Sequence, residues 1–498
     1  MQDERGFSME QINAILDATN GWLYGYILVG LLVFGGVIFT LWLLFPQFRM
    51  FRAAIGALSE PAHEKGSMSS FQALMVSTAS RVGSGNIVGV AAAVLAGGPG
   101  AVFWMWLIAL LGGASAFVES TLAQIYKCRD ESGQFFGGPP YYIRKALGSR
   151  VLGGVFAAFV ILLYMGGFNA LCAFNTTDFL ANYAGGLPHA KVWIGLGVAF
   201  LAGSVIMGGG RIIARVTQFL VPVMAVGYLV MALAVMVLHA AELPRVFATV
   251  FREAFNAHSA FGGLFGAIVM SGVKRGLYSN EAGIGSAPNA AASAHVSHPV
   301  KQGLAQMLSV FIDTLLICTA TAMILLCSGL DPHGFKVGAD NALFVQKSME
   351  ASFGGGGAVL LTAAFAVFCY TTLVGNYFYA EQAVRYFYAG AQSDRVFMTV
   401  WRLAAVAVIF TGALLEATFV WNLSDVIMGV MALVNIPVCI VLGHKAFDAM
   451  KDYAAQRRAG KNPVYRPEKL YLDTTGMECW THPRHGRQGG GAGHRSEK

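Results

Sequence analysis

Residues 77–106 read STASRVGSGNIVGVAAAVLAGGPGAVFWMW, apolar enough to cross a bilayer yet interrupted by Arg81, Gly83, Ser84, Gly85 and Asn86. Glycine costs roughly 1 kcal/mol against alanine inside a helix. In hydrocarbon every freed N–H and C=O must also find another partner. A break at that depth is tolerated where the backbone lines a protected cavity, and such cavities are where solutes are held in membrane carriers. The stretch therefore predicts half of a binding site.

The surrounding chain supports a membrane setting. Of 498 residues, 56% are hydrophobic and 12% charged, against roughly a quarter charged in soluble domains. About eleven stretches reach the ~20 apolar residues a spanning helix needs. They fall at 22–45, 71–95, 101–123, 153–180, 192–207, 219–238, 261–286, 303–326, 358–380, 399–415 and 420–442. The fold class expected is an all-α polytopic membrane protein in the lipid bilayer. Residues 1–21 form a short outer segment, 22–445 the membrane domain and 446–498 a tail. In that tail 446–458 forms an amphipathic surface helix, and the Gly- and His-rich remainder, with His482, His485 and His494, is disordered. The first apolar run is too long for a cleavable signal and lacks a basic flank. The seven cysteines show no CxxC spacing and read as small packing residues.

The net charge of +7 suggests orientation rather than nucleic-acid binding. With the N-terminus outside, the inner loops collect Arg49, Arg52, Lys127, Arg129, Arg144, Lys145, Arg150, Arg211, Arg215 and Arg385, and the tail adds Lys445, Lys451, Arg457 and Arg458. The outer loops hold few cations, such as Lys191, Arg245 and Lys336. Positive residues gather on the cytoplasmic side, so the C-terminus lies inside, in the cell (inner) membrane.

A second interruption, GLYSNEAGIGSAPNAAA at 276–292, places Asn280 and Glu281 at membrane depth. With the leading helix (22–45) set aside, the two breaks open two five-span halves, 71–238 and 261–442. An odd span count inverts one half relative to the other, and Gly-interrupted segments at matching positions mark a transporter's midplane site. A helix start offers N–H groups to a carboxylate, and a helix end offers C=O groups to a small cation. A zwitterion with Na+ fits such a pair.

The motifs VGSGNIVGVA (82–91), AGGPGAVFWMW (96–106), NEAGIGSAPNAAA (280–292), DTLLICTATA (313–322) and TTLVGNYFYAE (371–381) resemble those of the alanine/glycine:cation symporter family. The resemblance implies a LeuT-type 5+5 inverted repeat with one extra N-terminal helix, and no enzymatic activity. It further implies symport of alanine or glycine, in some members glutamine or serine, coupled to Na+ with H+ possible and no organic cofactor. It places Na+ between the C=O groups of Ala79 and Val82 and the hydroxyls of Thr371 and Thr372. The substrate carboxylate lies by the amides of Gly83, Ser84 and Gly85, and its ammonium lies toward carbonyls near Ser80 and the Asn280 break. One departure stands out. Family members carry Gln two residues before Asn in the fourth span, whereas GGFNALCAFNTT (166–177) has Cys172 or Ala173 there, with Asn175 matching the Asn.

Arg81 reads three ways: a guanidinium for the substrate carboxylate or in place of a second sodium, a salt bridge to Glu281 or Asp313, or a snorkelling side chain. Glu281 and Asp313 must face inward, as a site network or as partners for broken backbone, since a charge at a lipid-facing helix centre costs about 2.5–3.5 kcal/mol. Glu119 reads as an inner gate or an interfacial residue. Thr371 and Thr372 have an alternative in their own i−4 carbonyls, and Asn86 in the backbone of the break. A membrane-embedded enzyme would need paired ligands or a nucleophile–base pair, and the sequence carries no GxSxG, Walker A or HExxH. A channel would need repeated charged rings, also missing. The sequence does not set the oligomeric state.

Overall fold

The computed structural model describes residues 9–61, 67–131, 133–255, 266–388, 394–470 and 473–480. Helix dominates; the strands among these residues are the short antiparallel pair Cys128–Arg129 and Phe135–Phe136. Eight helices are long and apolar enough to cross a membrane, or nine if Ser70–Arg81 and Gly85–Gly97, bent by 52° at their junction, form one span. Two further apolar stretches are shorter: Ala190–Ile206, and the interrupted segment of Ala267–Asn280 followed by Pro288–Ala292.

Gly100–Ile125 and Pro299–Cys327 form the centre, packed on each other, with Ala267–Asn280 and Val29–Trp42 against the former. Their facing surfaces are rich in Gly, Ala and Ser, which let backbones approach closely where apolar burial alone cannot drive association. Gly210–Leu238 and Arg395–Gly412 leave most of their apolar surface outward, as lipid-facing helices do.

Several elements differ from the sequence reading. The polar residues after Met9 do not form a separate segment but continue into one helix, Met9–Trp42. Asn20 donates to the Asn422 carbonyl at 3.1 Å and Tyr24 to that of Asp425 at 3.0 Å, tying this helix to the last one. Residues 341–353, read as loop, are helical in Asn341–Phe387, which kinks at Gly354 (φ 66°, ψ −167°), a conformation open to glycine. The last apolar stretch does not stop before a surface helix: Ala417–Arg458 is unbroken.

The tail also differs. Its described residues up to Trp480 are packed rather than free: the Tyr465 amide donates to the Ser297 carbonyl (2.9 Å), Trp480 Nε1 to the Gln124 carbonyl (2.8 Å), and Met477 is buried. Aromatic anchors supply the apolar area its composition conceals. His482, His485 and His494 lie outside the described residues.

Candidate substrate and cation site

The first half-helix, Ser70–Arg81, starts at a capping box in which Ser69 and Gln72 satisfy each other's backbone N–H. It ends at Val82 (φ −78°, ψ 91°), and the chain re-enters helix at Gly85 through a π-helical turn, Gly85–Gly89. Asn86 Oδ1 accepts the Gly83 amide at 2.9 Å, so the side chain read as a ligand contact caps its own break. The second break begins at Glu281, a left-handed residue (φ 53°), and runs through Gly283 and Gly285 (φ 90° and 85°) before Pro288 restarts the helix. Glu281 Oε2 accepts from Ser286 Oγ at 2.6 Å, and Asn280 Oδ1 accepts the Ala282 amide at 3.0 Å. Each break thus supplies part of its own lost hydrogen bonding from a neighbouring side chain.

The two breaks meet. Ser80, Arg81, Gly83, Ser84, Gly85 and Glu281 line one nearly closed cavity of about 10 Å³ with Phe168, Tyr278 and Thr372. That is roughly the room of a single water, so a solute enters only as these walls part. Asn86 and Asn280 are not among its walls. Asn86 Nδ2 instead points to Asp313 Oδ1 (2.6 Å) and Ser279 Oγ (3.0 Å), while Ser279 and Thr314 each donate to Asp313 Oδ2 at 2.7 Å. Asp313 therefore cross-links both breaks from behind the cavity, in a second π-helical turn, Phe311–Cys318. Such turns recur at functional positions.

Arg81 is buried. Its Nη1 donates to Ser309 Oγ at 2.9 Å, but its Nε and Nη2 have no partner. Among the described residues it forms no ion pair, and neither Glu281 nor Asp313 closes on it as a salt bridge. A buried cation with two free donors facing a cavity is costly unless an anion completes it.

Thr372 Oγ1 stands 3.0 Å from the Ala79 carbonyl oxygen, 3.3 Å from that of Val82 and 2.9 Å from that of Phe368. One hydroxyl has one proton, so at least two of these contacts are oxygen against oxygen without a shared hydrogen. A small cation would relieve that crowding, and neutral oxygens suit a monovalent one. Thr371 does not join them: its hydroxyl turns to the Phe368 carbonyl (2.9 Å) and the Met224 sulfur (3.3 Å). Gly83 makes the approach possible, because a Cβ there would sit 2.0 Å from Thr372 Oγ1.

Other residues escaped the sequence reading. Tyr278 bonds Ser84 Oγ through its hydroxyl (2.8 Å) and packs edge-on against Phe168 and tilted on Trp421, roofing the cavity. Beyond this roof, buried Asp425 pairs with Lys274 Nζ at 2.8 Å and Arg275 Nη2 at 3.3 Å, and Arg275 lies over the Trp421 ring. Glu119 sits behind the second break, accepting from Asn435 Nδ2 (2.8 Å) and the Gly283 amide (3.4 Å). Cys172 donates to the Cys369 carbonyl at 3.3 Å, leaving Phe168 as the cavity wall from its helix.

Removing the acid of the outer cluster strands two cations. Breaking one partner of a buried pair costs about 3–5 kcal/mol, discounted here because Lys274 and Arg275 keep some exposure. Asp425→Asn is expected to lower the melting temperature of purified protein by several degrees, and Asp425→Asn/Lys274→Met to recover part of it. Equal melting of all three proteins would contradict the pairing.

Residues 9–467 match the sodium:alanine symporter family. The chain is 41% identical over 451 residues to the amino-acid carrier protein AlsT of Bacillus subtilis, covering 90% of this chain and 93% of that one. It is 41% identical over 475 residues to the probable sodium/glutamine symporter GlnT of the same organism, covering 95% and 97%. In architecture it is similar to MhsT, crystallised in complex with L-phenylalanine, with a TM-score of 0.50 at 12% identity over 84% of this chain and 96% of that one. That likeness bears on the fold alone and gives the LeuT-type arrangement. The family match over residues 9–467 and 41% identity across nine-tenths of the chain place it in the sodium:alanine symporter family.

Proposed function

We propose that this chain imports a small neutral amino acid, alanine or glycine, by Na+-coupled alternating access across the cell (inner) membrane. The observation that carries this reading is that both breaks wall one cavity, together with buried Arg81, whose Nε and Nη2 lack partners. Arg81 and the amides of Ser84 and Gly85 take the substrate carboxylate; the Gly83 amide is already committed to Asn86. The ammonium lies toward the Ser80 carbonyl and Glu281. Na+ lies among the carbonyls of Ala79 and Val82 and the hydroxyl of Thr372, with Thr371 joining after rotation about χ1. Asn86 and Asn280 act by shaping the breaks.

The basic face, carrying Arg129, Arg144 and the tail, is cytoplasmic, with the N-terminus outside. Eleven spans follow if Ala190–Ile206 and the broken seventh stretch both cross. Ligand binding orders the junctions and one bundle rocks against the other, opening the site to each side in turn.

In proteoliposomes, alanine or glycine uptake is expected to require an inward Na+ gradient. Equal uptake with choline in place of Na+, at clamped pH on both sides, overturns the sodium coupling and leaves H+ as the driving ion. Likeness to GlnT supports glutamine as a second substrate reading. Counterflow against all amino acids, both enantiomers, separates the two.

A further inference from the structure

The chain beyond the last helix crosses the basic face over the seam between the two broken helices. At that seam the His295 amide donates to the Met68 carbonyl (2.9 Å), joining the start of the first half-helix to the end of the second broken span. The seam has its own apolar cluster, Ala73, Ala294 and Val296, with Met68 and Trp480 packed against it. Trp480 thus covers residues from both sides of the joint. The tail is also fastened along its length. Ser297 Oγ donates to the Pro463 carbonyl (2.8 Å), Lys301 Nζ to Asn462 Oδ1 (2.9 Å), and Lys145 pairs with Glu478 at 3.0 Å. These fastenings reach the second broken span, the helix after it and the loop following Gly100–Ile125.

We propose that residues 462–470 and 473–480 act as a latch that holds the cytoplasmic mouth shut and lifts away once in each transport cycle. The inference rests on the alternating-access reading above. For the mouth to open, Ser70–Arg81 must part from Ala294, and Trp480 cannot stay packed on both. Its indole joins Tyr465 edge-on at 5.3 Å, so the aromatic pair leaves as a unit. Trp, with the largest apolar area of the side chains and one N–H to anchor, suits a seal that is set and released.

Two native cysteines allow the test. Cys479 Sγ lies 3.3 Å from the Lys127 carbonyl oxygen, which belongs to the peptide unit leading into Cys128. Cys479 thus lies against the backbone that leads into Cys128, both thiols are free, and a disulfide between them requires Cα atoms roughly 4.4–6.8 Å apart. Burial raises the pKa of both thiols, so oxidation is run at mildly alkaline pH. Diamide takes two electrons and two protons from the pair, becoming the hydrazine, as the S–S bond forms. In proteoliposomes of the full chain, peptide mapping is expected to find a 128–479 link and Na+-driven uptake to fall at least fivefold. Dithiothreitol is expected to restore uptake, and Cys128→Ser protein to show no response to diamide. A link that leaves uptake unchanged, or no link at all, overturns the latch.

A second measurement does not depend on the transported solute. Ala73→Cys, buried under the latch, is expected to react several-fold faster with a maleimide when Trp480→Ala is added. An equal rate overturns the proposal. Protein that labels as expected yet moves no amino acid under any gradient contradicts the symport reading and leaves the latch standing.

Discussion

Arg81→Lys protein is expected to reach the membrane at normal levels and to take up alanine roughly 10–100-fold more slowly, since hydrogen bonds to charged groups are worth about 1.5–3 kcal/mol and each 1.4 kcal/mol is tenfold. Charge is conserved by this change; geometry is not. In the native site Nη1 rests on Ser309 while Nε and Nη2 stay open, so one guanidinium anchors itself and still presents two donors. An ammonium is a compact point charge without a planar fork and must give up one role to keep the other. The loss is expected in the half-saturating substrate concentration, measured at saturating Na+. Wild-type uptake by the lysine variant would remove Arg81 from the carboxylate site. Arg81→Met is expected to be worse, because Glu119, Glu281 and Asp313 then share a buried region without their nearby cation.

Gly83→Ala acts on the other ligand. The new methyl would lie 2.0 Å from Thr372 Oγ1 and 2.9 Å from its Cβ, closer than real Cβ atoms come. Either the first broken helix or Asn341–Phe387 must move, and overpacking of this kind costs about 1–3 kcal/mol or more. Displacement separates Thr372 from the Ala79 and Val82 carbonyls. The half-activating Na+ concentration is therefore expected to rise at least tenfold, with a fall in melting temperature. Gly83→Ala/Thr372→Ala relieves most of the clash, so melting recovers while Na+ activation does not. Recovery of both would show that Thr372 contributes nothing to the cation site.

Both breaks are legible in the chain because Gly, Ser, Asn and Glu inside apolar runs violate what hydrocarbon permits. Arg81 was visible for the same reason, and its freedom from Glu281 and Asp313 is what the fold decides among three readings. Asn86 shows both sides: of its two readings, ligand contact or the backbone of the break, its Oδ1 takes the second, while its amide turns to Asp313, a partner 227 positions along the chain that residue type could not name. Lys274, Arg275 and Asp425 each sit in apolar windows and signal burial, yet their pairing across 150 positions exists in space alone. Tyr278 and Phe168 look like any packing aromatic until the cavity beside them is seen. Residues 461–480 misled because they were read with the Gly- and His-rich end that follows them, although Tyr465, Met477 and Trp480 fasten this part. Thr371 and Thr372 are neighbours in sequence, and about 100° of helix rotation sends one to the carbonyls and the other to Met224.

The unbroken last helix has a mechanical consequence. Its 42 residues extend about 63 Å at 1.5 Å per residue, twice the ~30 Å hydrocarbon thickness. Near one tip Trp421 and Asp425 close over the cavity, midway Asn435 grips the Gly283 carbonyl, and near the other tip Asp452 meets His298. On the alternating-access proposal a single rod would handle both doors and the hinge between them, and Pro437, two residues from that grip, removes a backbone bond where it would pivot. Tilting it like a seesaw would loosen one entrance while pressing on the other, so exclusive opening needs no separate messenger.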